Sequence, residues 1–167
     1  LSVFRKIIKE TGDYSYEVNR YYLDYYNQRD KWVTENFVRI FGKKRNYGEK
    51  ISQKHKDIAA GLQDRLEEII LKQLKKAKKK FKFENLCLAG GVSLNCSMNG
   101  KILKEKIFKK VFVTPASGDD GCAIGACFLA YKKRKKLLPK MNYNFYLGSR
   151  FSNNKIKEIL IKKNVKY

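Results

Sequence analysis

The sequence predicts an α/β fold in which helices cover neighbouring parallel strands. Three observations predict it: the order strand, glycine turn, helix occurs over residues 85–104, the same order recurs over residues 111–131, and a long amphipathic helix precedes both. Parallel strands need a crossover connection between them, and a helix provides it. With 167 residues, of which 43% are apolar, the chain is long enough to bury a core.

The first unit is predicted to begin with a short apolar strand at residues 85–89, which ends in a turn at Gly90 and Gly91. A helix of about ten residues, 93–104, follows this turn. Free backbone N–H groups and the helix dipole at such a place favour an anion such as a phosphate. Asn95, one turn into the helix, is therefore expected to hydrogen-bond a ribose or a phosphate.

The second strand, at residues 111–114, leads into a loop where Asp119 and Asp120 stand side by side between Gly118 and Gly121. Carboxylate oxygens suit a divalent cation such as magnesium, manganese or iron(II), and glycines leave room for nucleotide phosphates. A carboxylate at this position can also cap the next helix. We expect Asp119 to be the metal ligand and Asp120 to be the cap.

Two further helices are predicted around these turns. Ser52 is expected to cap the long helix, which has apolar residues three or four apart along one buried stripe. The stripe consists of Ile58, Leu62, Leu66, Ile69, Ile70, Leu74 and Ala77. The apolar helix at 122–131 is expected to pack closely through its small residues, which are Gly125, Ala126 and Ala130.

The N-terminal part of the chain has weaker patterns. Alternating and paired tyrosines predict one or two strands within residues 14–26, with packing favoured over a platform for base stacking. A short helix is expected over residues 32–41, ended by Gly42, and a loop over residues 43–50.

The C-terminal part is expected to start with a basic connector at residues 132–140. A strand is predicted within residues 143–151, and a last helix is predicted from a cap at Ser152 or Asn153 to Lys163.

The net charge of +22 would suit a partner rich in phosphates. Of the 38 basic residues, however, 30 are Lys and only 8 are Arg, whereas bidentate recognition of phosphates and bases uses Arg. Specific nucleic-acid binding is therefore disfavoured. The lysine run over residues 75–82 is expected to be the solvated end of a helix.

The chain has four cysteines without a C-x-x-C pair and a single histidine, His55, which argues against a zinc site. The cysteines are expected to be small buried thiols in a reducing compartment. No stretch approaches the roughly 18 apolar residues of a membrane span. We therefore expect a soluble, cytoplasmic protein with no membrane partner. Because the first residue is Leu1, we also expect a truncated N-terminus.

Three blocks of sequence closely resemble the O-carbamoyltransferases of the nodulation and cephamycin type. They are NLCLAGGVSLNC at residues 85–96, VTPASGDDGCAIGA at 113–126 and QKHKDIAAGLQ at 53–63. Looser matches lie at residues 41–45 and 146–152. The resemblance thus covers most of residues 14–160, in order.

This resemblance implies an actin-like, ribonuclease-H-like ATPase domain (the ASKHA class) with a mixed sheet, whose later portion is residues 1–146. The start of a C-terminal carbamoyltransferase domain is expected at residues 147–167. The implied reaction makes carbamoyl-adenylate from carbamoyl phosphate and ATP, and transfers the carbamoyl group to a hydroxyl of a sugar or small molecule in a biosynthetic step.

The resemblance also assigns roles to single residues. Asp119 matches the metal-ligating aspartate of the family. The expected nucleotide contacts fall on Gly90, Gly91, Asn95, Gly118 and Gly121. His55 lies in a matching block on the long helix, where a structural role is favoured over catalysis, and no catalytic residue is assigned.

The resemblance further implies that part of the site lies elsewhere. The paired histidine ligands of the family belong to an earlier helix that is not in this chain. The chain is therefore expected to be an incomplete portion, inactive alone, whose partner is the remainder of its own protein.

Three other functions remain open. A tRNA threonylcarbamoyl transferase would share the Gly-Gly-Val and aspartate loops and suit the basic charge, although Leu-Asn-Cys after Gly-Gly-Val-Ser fits O-carbamoyl transfer better. The chain could also be a basic nucleic-acid-binding module without catalysis, or a non-catalytic scaffold half of a larger protein.

Overall fold

The computed structural model describes residues 2–27, 30–135 and 148–166, and it divides into two compact units, residues 1–122 and 123–167. Helices and strands are both present, so the predicted α/β class is confirmed. The described part of the chain contains no helix that is both long and apolar enough to cross a membrane. The predicted domain boundary between residues 146 and 147 falls outside the described residues.

The first unit opens with a helix and a hairpin. Helix α1 (Ser2–Ile7) leads directly into strand β1 (Ile8–Glu10), which pairs antiparallel with strand β2 (Tyr16–Val18). In this register Ile8 lies opposite Val18.

One strand is found within residues 14–26, as predicted, but it is short, because β2 keeps only three of these residues. The Asn19 side chain accepts a hydrogen bond from the backbone N–H of Tyr21 at 3.0 Å, and the chain turns there instead of continuing as a strand. Leu23 then forms an isolated bridge with Val33.

Helix α2 (Glu35–Phe41) begins three residues later than predicted, because Thr34 is its N-cap and accepts a hydrogen bond from the N–H of Phe37. It ends as predicted at Gly42, whose φ of 86° favours glycine. No helix or strand is described over residues 43–50, as expected for a loop.

Helix α3 (Gln53–Phe81) is the long amphipathic helix, and Ser52 is its N-cap as predicted. It ends at Lys82, which adopts the left-handed conformation with φ 56°. The lysine run over residues 75–82 is thus the C-terminal end of a helix, where positive side chains interact favourably with the negative end of the helix dipole.

The core of the first unit lies between α3, helix α4 (Cys96–Lys104) and a small parallel sheet. Strands β3 (Asn85–Leu88) and β4 (Lys110–Val113) pair in parallel with Leu88 opposite Val113, which confirms the predicted parallel neighbours. The buried centre consists of Leu71, Met98 and Ile102. Partly buried apolar residues around it are Leu66, Ile70, Leu74, Leu86, Leu88, Ile107 and Val111.

The described strands do not form the single mixed sheet that was expected. They form two separate two-stranded sheets, one antiparallel from β1 and β2 and one parallel from β3 and β4. The hairpin is held to the side of α3 instead of joining the parallel sheet: the Arg65 guanidinium donates two hydrogen bonds to the carbonyl of Ile8, at 3.0 and 2.8 Å.

Helix α5 (Gly121–Lys135) runs from the end of the first unit into the second, and helix α6 (Asn153–Lys162) follows with Ser152 as its N-cap. Neither helix has a buried residue. Residues 132–135, expected as connector, continue α5, and residues 148–151 are not a strand; the remainder of both predicted segments lies outside the described residues.

The expected burial of the cysteines is wrong. All four, Cys87, Cys96, Cys122 and Cys127, are free and exposed. Side chains alternate along a strand, so Leu86 and Leu88 face the core and Cys87 faces the opposite, uncovered side of β3. The close packing predicted for Gly125, Ala126 and Ala130 is likewise wrong, because these residues of α5 are exposed.

Candidate functional site

Two turns follow the carboxyl ends of β3 and β4, and a hydrogen bond joins them directly. The N–H of Gly90 in the first turn donates to the carbonyl of Ser117 in the second at 2.7 Å. Gly90 adopts φ 98°, which a residue with a Cβ rarely takes, and residues Gly91–Leu94 then form a short 3-10 turn before α4. The parallel pairing of the two strands therefore brings both predicted glycine turns to one edge of the sheet.

The second turn is tight because its backbone closes on itself. The N–H of Gly121 donates to the carbonyl of Gly118 at 3.1 Å. A Cβ placed on Gly121 would lie 2.0 Å from the carbonyl oxygen of Ala116, and one on Gly118 would lie 3.1 Å from an oxygen of Asp120. Gly121 is therefore needed for the path of the chain, whatever ligand it approaches, whereas the exposed Asp120 side chain can move away from a Cβ at position 118.

The two aspartates of this turn, Asp119 and Asp120, are both exposed. Among the described residues neither carboxylate has a hydrogen-bond or ion-pair partner, so the predicted capping of α5 by Asp120 is not seen. The backbone carbonyl of Asp119 accepts a hydrogen bond from the N–H of Cys122 at 3.1 Å. The hydrogen bond at the start of α5 is thus made by the backbone and not by a carboxylate. Both side chains remain available to a ligand.

Ser117, in the second turn, has a buried side chain whose hydroxyl has no hydrogen-bond partner among the described residues. Buried polar groups are nearly always paired. The junction of the turns therefore has hydrogen-bonding capacity that its own residues leave unfilled.

Asn95 is half-buried and serves as the N-cap of α4. Its Oδ1 accepts a hydrogen bond from the N–H of Met98 at 2.9 Å and another from Gln63 Nε2 at 3.0 Å. Its Nδ2 donates to Gln63 Oε1 at 2.8 Å. The predicted contact of Asn95 with a ribose or phosphate stays a prediction, and much of its polar capacity is already used within the protein.

Glu67 and Lys101, which the sequence patterns did not single out, complete this network. Gln63 Nε2 donates to Glu67 Oε1 at 2.8 Å, and Lys101 Nζ donates to Glu67 Oε2 at 2.7 Å. These hydrogen bonds, first from Gln63 and then from Lys101, hold the pKa of the Glu67 carboxyl below its ordinary value. Glu67 is buried, and the available signal was a pair of polar residues four apart on an otherwise apolar helix face.

His55 lies away from this network, in the first turn of α3. Its Nδ1 accepts a hydrogen bond from the backbone N–H of Ser52 at 3.0 Å. The imidazole thus satisfies one of the free N–H groups at the helix start, in the manner of a capping box. This geometry agrees with the structural role that was favoured for His55.

Adjacent glycine turns at the carboxyl ends of two parallel strands, with exposed carboxylates beside them, are the arrangement at which α/β proteins of the open-sheet class bind ligands. The family model for the carbamoyltransferase N-terminus matches residues 2–128. The chain belongs to this family, as the sequence blocks at both turns predicted.

Similar proteins support the same family. The chain is 35% identical over 155 residues to an uncharacterized protein of Synechocystis, which covers 89% of this chain and 25% of the relative. It is 36% identical over 116 residues to the nodulation protein NolO of Bradyrhizobium diazoefficiens, covering 69% of this chain and 21% of that protein. It is 40% identical over 96 residues to the nodulation protein NolNO of Sinorhizobium fredii, covering 58% of this chain and 14% of that protein. The chain therefore spans a quarter or less of the length of these relatives.

Proposed function

We propose that the protein containing this chain transfers a carbamoyl group from carbamoyl phosphate to a hydroxyl of a sugar or small molecule, with ATP as the activating nucleotide. The observation that carries the proposal is the hydrogen bond from Gly90 to Ser117, which places two family-matching glycine turns at one edge of the parallel sheet. Within the proposal, Gly90, Gly91, Asn95, Gly118 and Gly121 form the nucleotide-binding surface.

The chemistry of the proposal is acyl activation followed by transfer. Carbamoyl-adenylate forms from carbamoyl phosphate, ATP and water with release of phosphate and pyrophosphate. The acceptor oxygen then bonds to the carbamoyl carbon, the bond from that carbon to AMP breaks, and the hydroxyl proton passes to a base. Backbone N–H groups aimed at the phosphates would stabilise the charge that develops there. Because helix α4 begins beside the first turn, its dipole adds to the same effect.

Asp119 fits a divalent cation in its donor chemistry. Its carboxylate is exposed and unpaired among the described residues, with Asp120 beside it. The described residues hold no group of three or more metal-ligating side chains. Magnesium and similar cations are commonly held by one or two carboxylates together with nucleotide phosphates. A magnesium or manganese ion therefore suits this donor set, with the nucleotide supplying the remaining ligands. When bound, the cation would neutralise phosphate charge.

The test is calorimetric titration of the purified protein with ATP, in the presence and absence of manganese. Wild type is compared with Asp119→Ala and with the matched control Asp120→Ala, which removes an equally exposed neighbouring carboxylate. We expect manganese to strengthen ATP binding in wild type and in the control, and to have little effect in Asp119→Ala.

Two outcomes would count against the proposal. Absence of ATP binding by the folded wild-type protein would remove the nucleotide site altogether. An equal loss in both aspartate variants would assign the effect to general negative charge at the turn instead of metal ligation by Asp119.

A further inference from the structure

A series of hydrogen bonds connects Met98 of α4, through Asn95 and Gln63, to Glu67 of α3. Its direction is defined, because the groups at its two ends have fixed donor and acceptor roles. At one end the N–H of Met98 can only donate. At the other end the ionised Glu67 carboxylate can only accept, and Lys101 pairs with its second oxygen at 2.7 Å. Gln63 and Asn95, the two carboxamides between them, could each be turned either way in isolation.

Only one orientation of each carboxamide satisfies both ends. Met98 requires the oxygen of Asn95 to face the start of α4, and Glu67 requires the nitrogen of Gln63 to face α3. With these orientations the remaining atoms pair reciprocally, at 3.0 and 2.8 Å. Turning either carboxamide over would set donor against donor or acceptor against acceptor in a half-buried place, which is costly.

Counting donors and acceptors shows what remains for a ligand. The oxygen of Asn95 has two lone pairs, and both are used, by Met98 and by Gln63. Its nitrogen has two hydrogens, of which one is used by Gln63. Asn95 can therefore offer a ligand one N–H donor and no acceptor.

We infer that Glu67 and Gln63 are positioning residues, which hold the Asn95 carboxamide so that its free N–H donates to a phosphate oxygen of the bound nucleotide. The inference rests on the proposed function and deepens it, since it states which kind of ligand atom Asn95 recognises. A phosphate oxygen suits this place because Asn95 lies at the start of α4, directly after the Gly90–Gly91 turn, where the backbone also favours an anion.

The test uses variants that alter the network with little change of shape. Asn95→Asp keeps a good helix cap but replaces the NH2 group with a carboxylate oxygen, which removes the free N–H donor together with the hydrogen bond to Gln63 Oε1. Glu67→Gln replaces a carboxylate that can only accept with a carboxamide that can donate or accept, so the orientation of Gln63 is no longer imposed. Asp64→Asn makes the same change of charge as Glu67→Gln at an exposed position of α3. Asp64 acts on Lys101 through its charge but has no hydrogen bond to Gln63 or Asn95 among the described residues, so it serves as the control for charge.

Two probes are titrated calorimetrically in the presence of manganese: ATP, and inorganic tripolyphosphate, which has neither ribose nor base. We expect Asn95→Asp to bind both probes about 10- to 100-fold more weakly than wild type, as for a lost hydrogen bond to a charged group. Glu67→Gln is expected to weaken both probes several-fold, and Asp64→Asn is expected to match wild type. Thermal melting should show Asn95→Asp folded but with a lowered midpoint, because the hydrogen bond to Gln63 Oε1 is lost. Binding is therefore compared at a temperature at which both proteins are fully folded.

The possible results are distinguishable. If wild type binds ATP and Asn95→Asp binds it equally well, the inference is overturned and the nucleotide site stands. A loss seen with ATP but not with tripolyphosphate overturns the assignment to a phosphate oxygen. Equal weakening by Glu67→Gln and Asp64→Asn overturns the positioning role. If wild type binds neither probe, the proposed function fails and the inference that rests on it fails too.

Discussion

Gly121 is the residue at which the second turn tolerates no side chain. A Cβ there would lie 2.0 Å from the carbonyl oxygen of Ala116, which belongs to the backbone and cannot rotate away. Gly100, in the middle of α4, is a useful contrast, because a Cβ there would meet nothing within 4 Å. The same substitution therefore has opposite consequences at two glycines of one unit.

We expect Gly121→Ala to lower the free energy of unfolding by about 2 kcal/mol or more, because the turn must open to relieve the overlap. We expect Gly100→Ala to raise it by up to about 1 kcal/mol, since alanine is the better helix former. Urea denaturation followed by circular dichroism measures both. Similar midpoints for the two variants would contradict the steric account of the second turn.

At this scale the sequence predicted positions better than roles. The site residues on the two turns lie at the predicted edge of the sheet, because strand and turn patterns are local. Asn95 also has a structural role as the N-cap of α4. The preference of asparagine for N-cap positions is a sequence signal that predicts this role. The partnership of Asn95 with Gln63 could not be predicted, since the two residues are far apart in sequence and meet only through packing of α3 on α4.

At the scale of elements, ion pairs formed by two carboxylates, Glu10 and Glu68, help to hold α1 and the N-terminal hairpin against α3. Arg65, with an almost fully buried side chain, donates to Glu68 at 2.8 Å, and Arg5 of α1 binds the same carboxylate at 2.7 Å. Lys72 pairs with Glu10 of β1. The hydrogen bond from Arg5 lowers the pKa of Glu68, and that from Lys72 lowers the pKa of Glu10. The hydrogen bonds from Arg65 to the carbonyl of Ile8 do not titrate, but the rest of the attachment depends on both carboxyls being ionised.

The sign of the pH dependence follows from the direction of these shifts. A carboxyl whose pKa is lowered in the folded state contributes stability that is fully present above its ordinary value of 4.5 and is lost as the pH falls through the folded value. We expect the urea midpoint to be level from neutral pH down to about 5 and to fall below that. Glu68→Gln should lower the midpoint at neutral pH and reduce the acid-dependent fall.

The matched control is Glu17→Gln, since Glu17 is exposed on β2 and has no ion pair among the described residues. This variant should keep the full acid-dependent fall. An unchanged fall in Glu68→Gln would show that the acid sensitivity arises elsewhere.

The elements that were predicted well are those with their own signals. Helix α3 has a cap and a continuous apolar stripe, and β3 and β4 are apolar segments followed by turn residues. Helix α1 and strand β1 were not predicted, because contacts with α3 hold them in place and no local pattern marks them. The tyrosines of residues 14–26 favour strands by propensity, but turn geometry at Asn19 overrides that preference.

At the scale of the whole molecule, many large apolar side chains are exposed while few are buried. Phe83 and Leu129, for example, have about 70% of their surface exposed. The buried apolar residues among those described are Phe4, Ile7, Ile69, Leu71, Met98 and Ile102. Burial of the cysteines was mispredicted for the same reason, because sequence patterns show which faces are apolar but not whether the chain itself covers them. Exposed apolar surface of this extent favours association.

We expect the isolated chain to self-associate more strongly as sodium chloride is raised, because salt screens the mutual repulsion of molecules with a net charge of +22. Sedimentation velocity at low and high salt measures this. Complexes held by phosphates, such as those with nucleic acid, would show the opposite dependence and dissociate at high salt. Dissociation on adding salt would therefore favour a nucleic-acid-binding role over contact through apolar surfaces.

The hydrogen bond between Gly90 and Ser117 also constrains how this protein can vary. Because it joins two backbone groups, it depends on the spacing of the chain and hardly at all on which side chain follows Gly90 or occupies position 117. Substitutions around the turns can therefore accumulate while the bond persists. An insertion or deletion within either turn would instead move one partner away from the other, so loop length is the heritable property that links the two halves of the site.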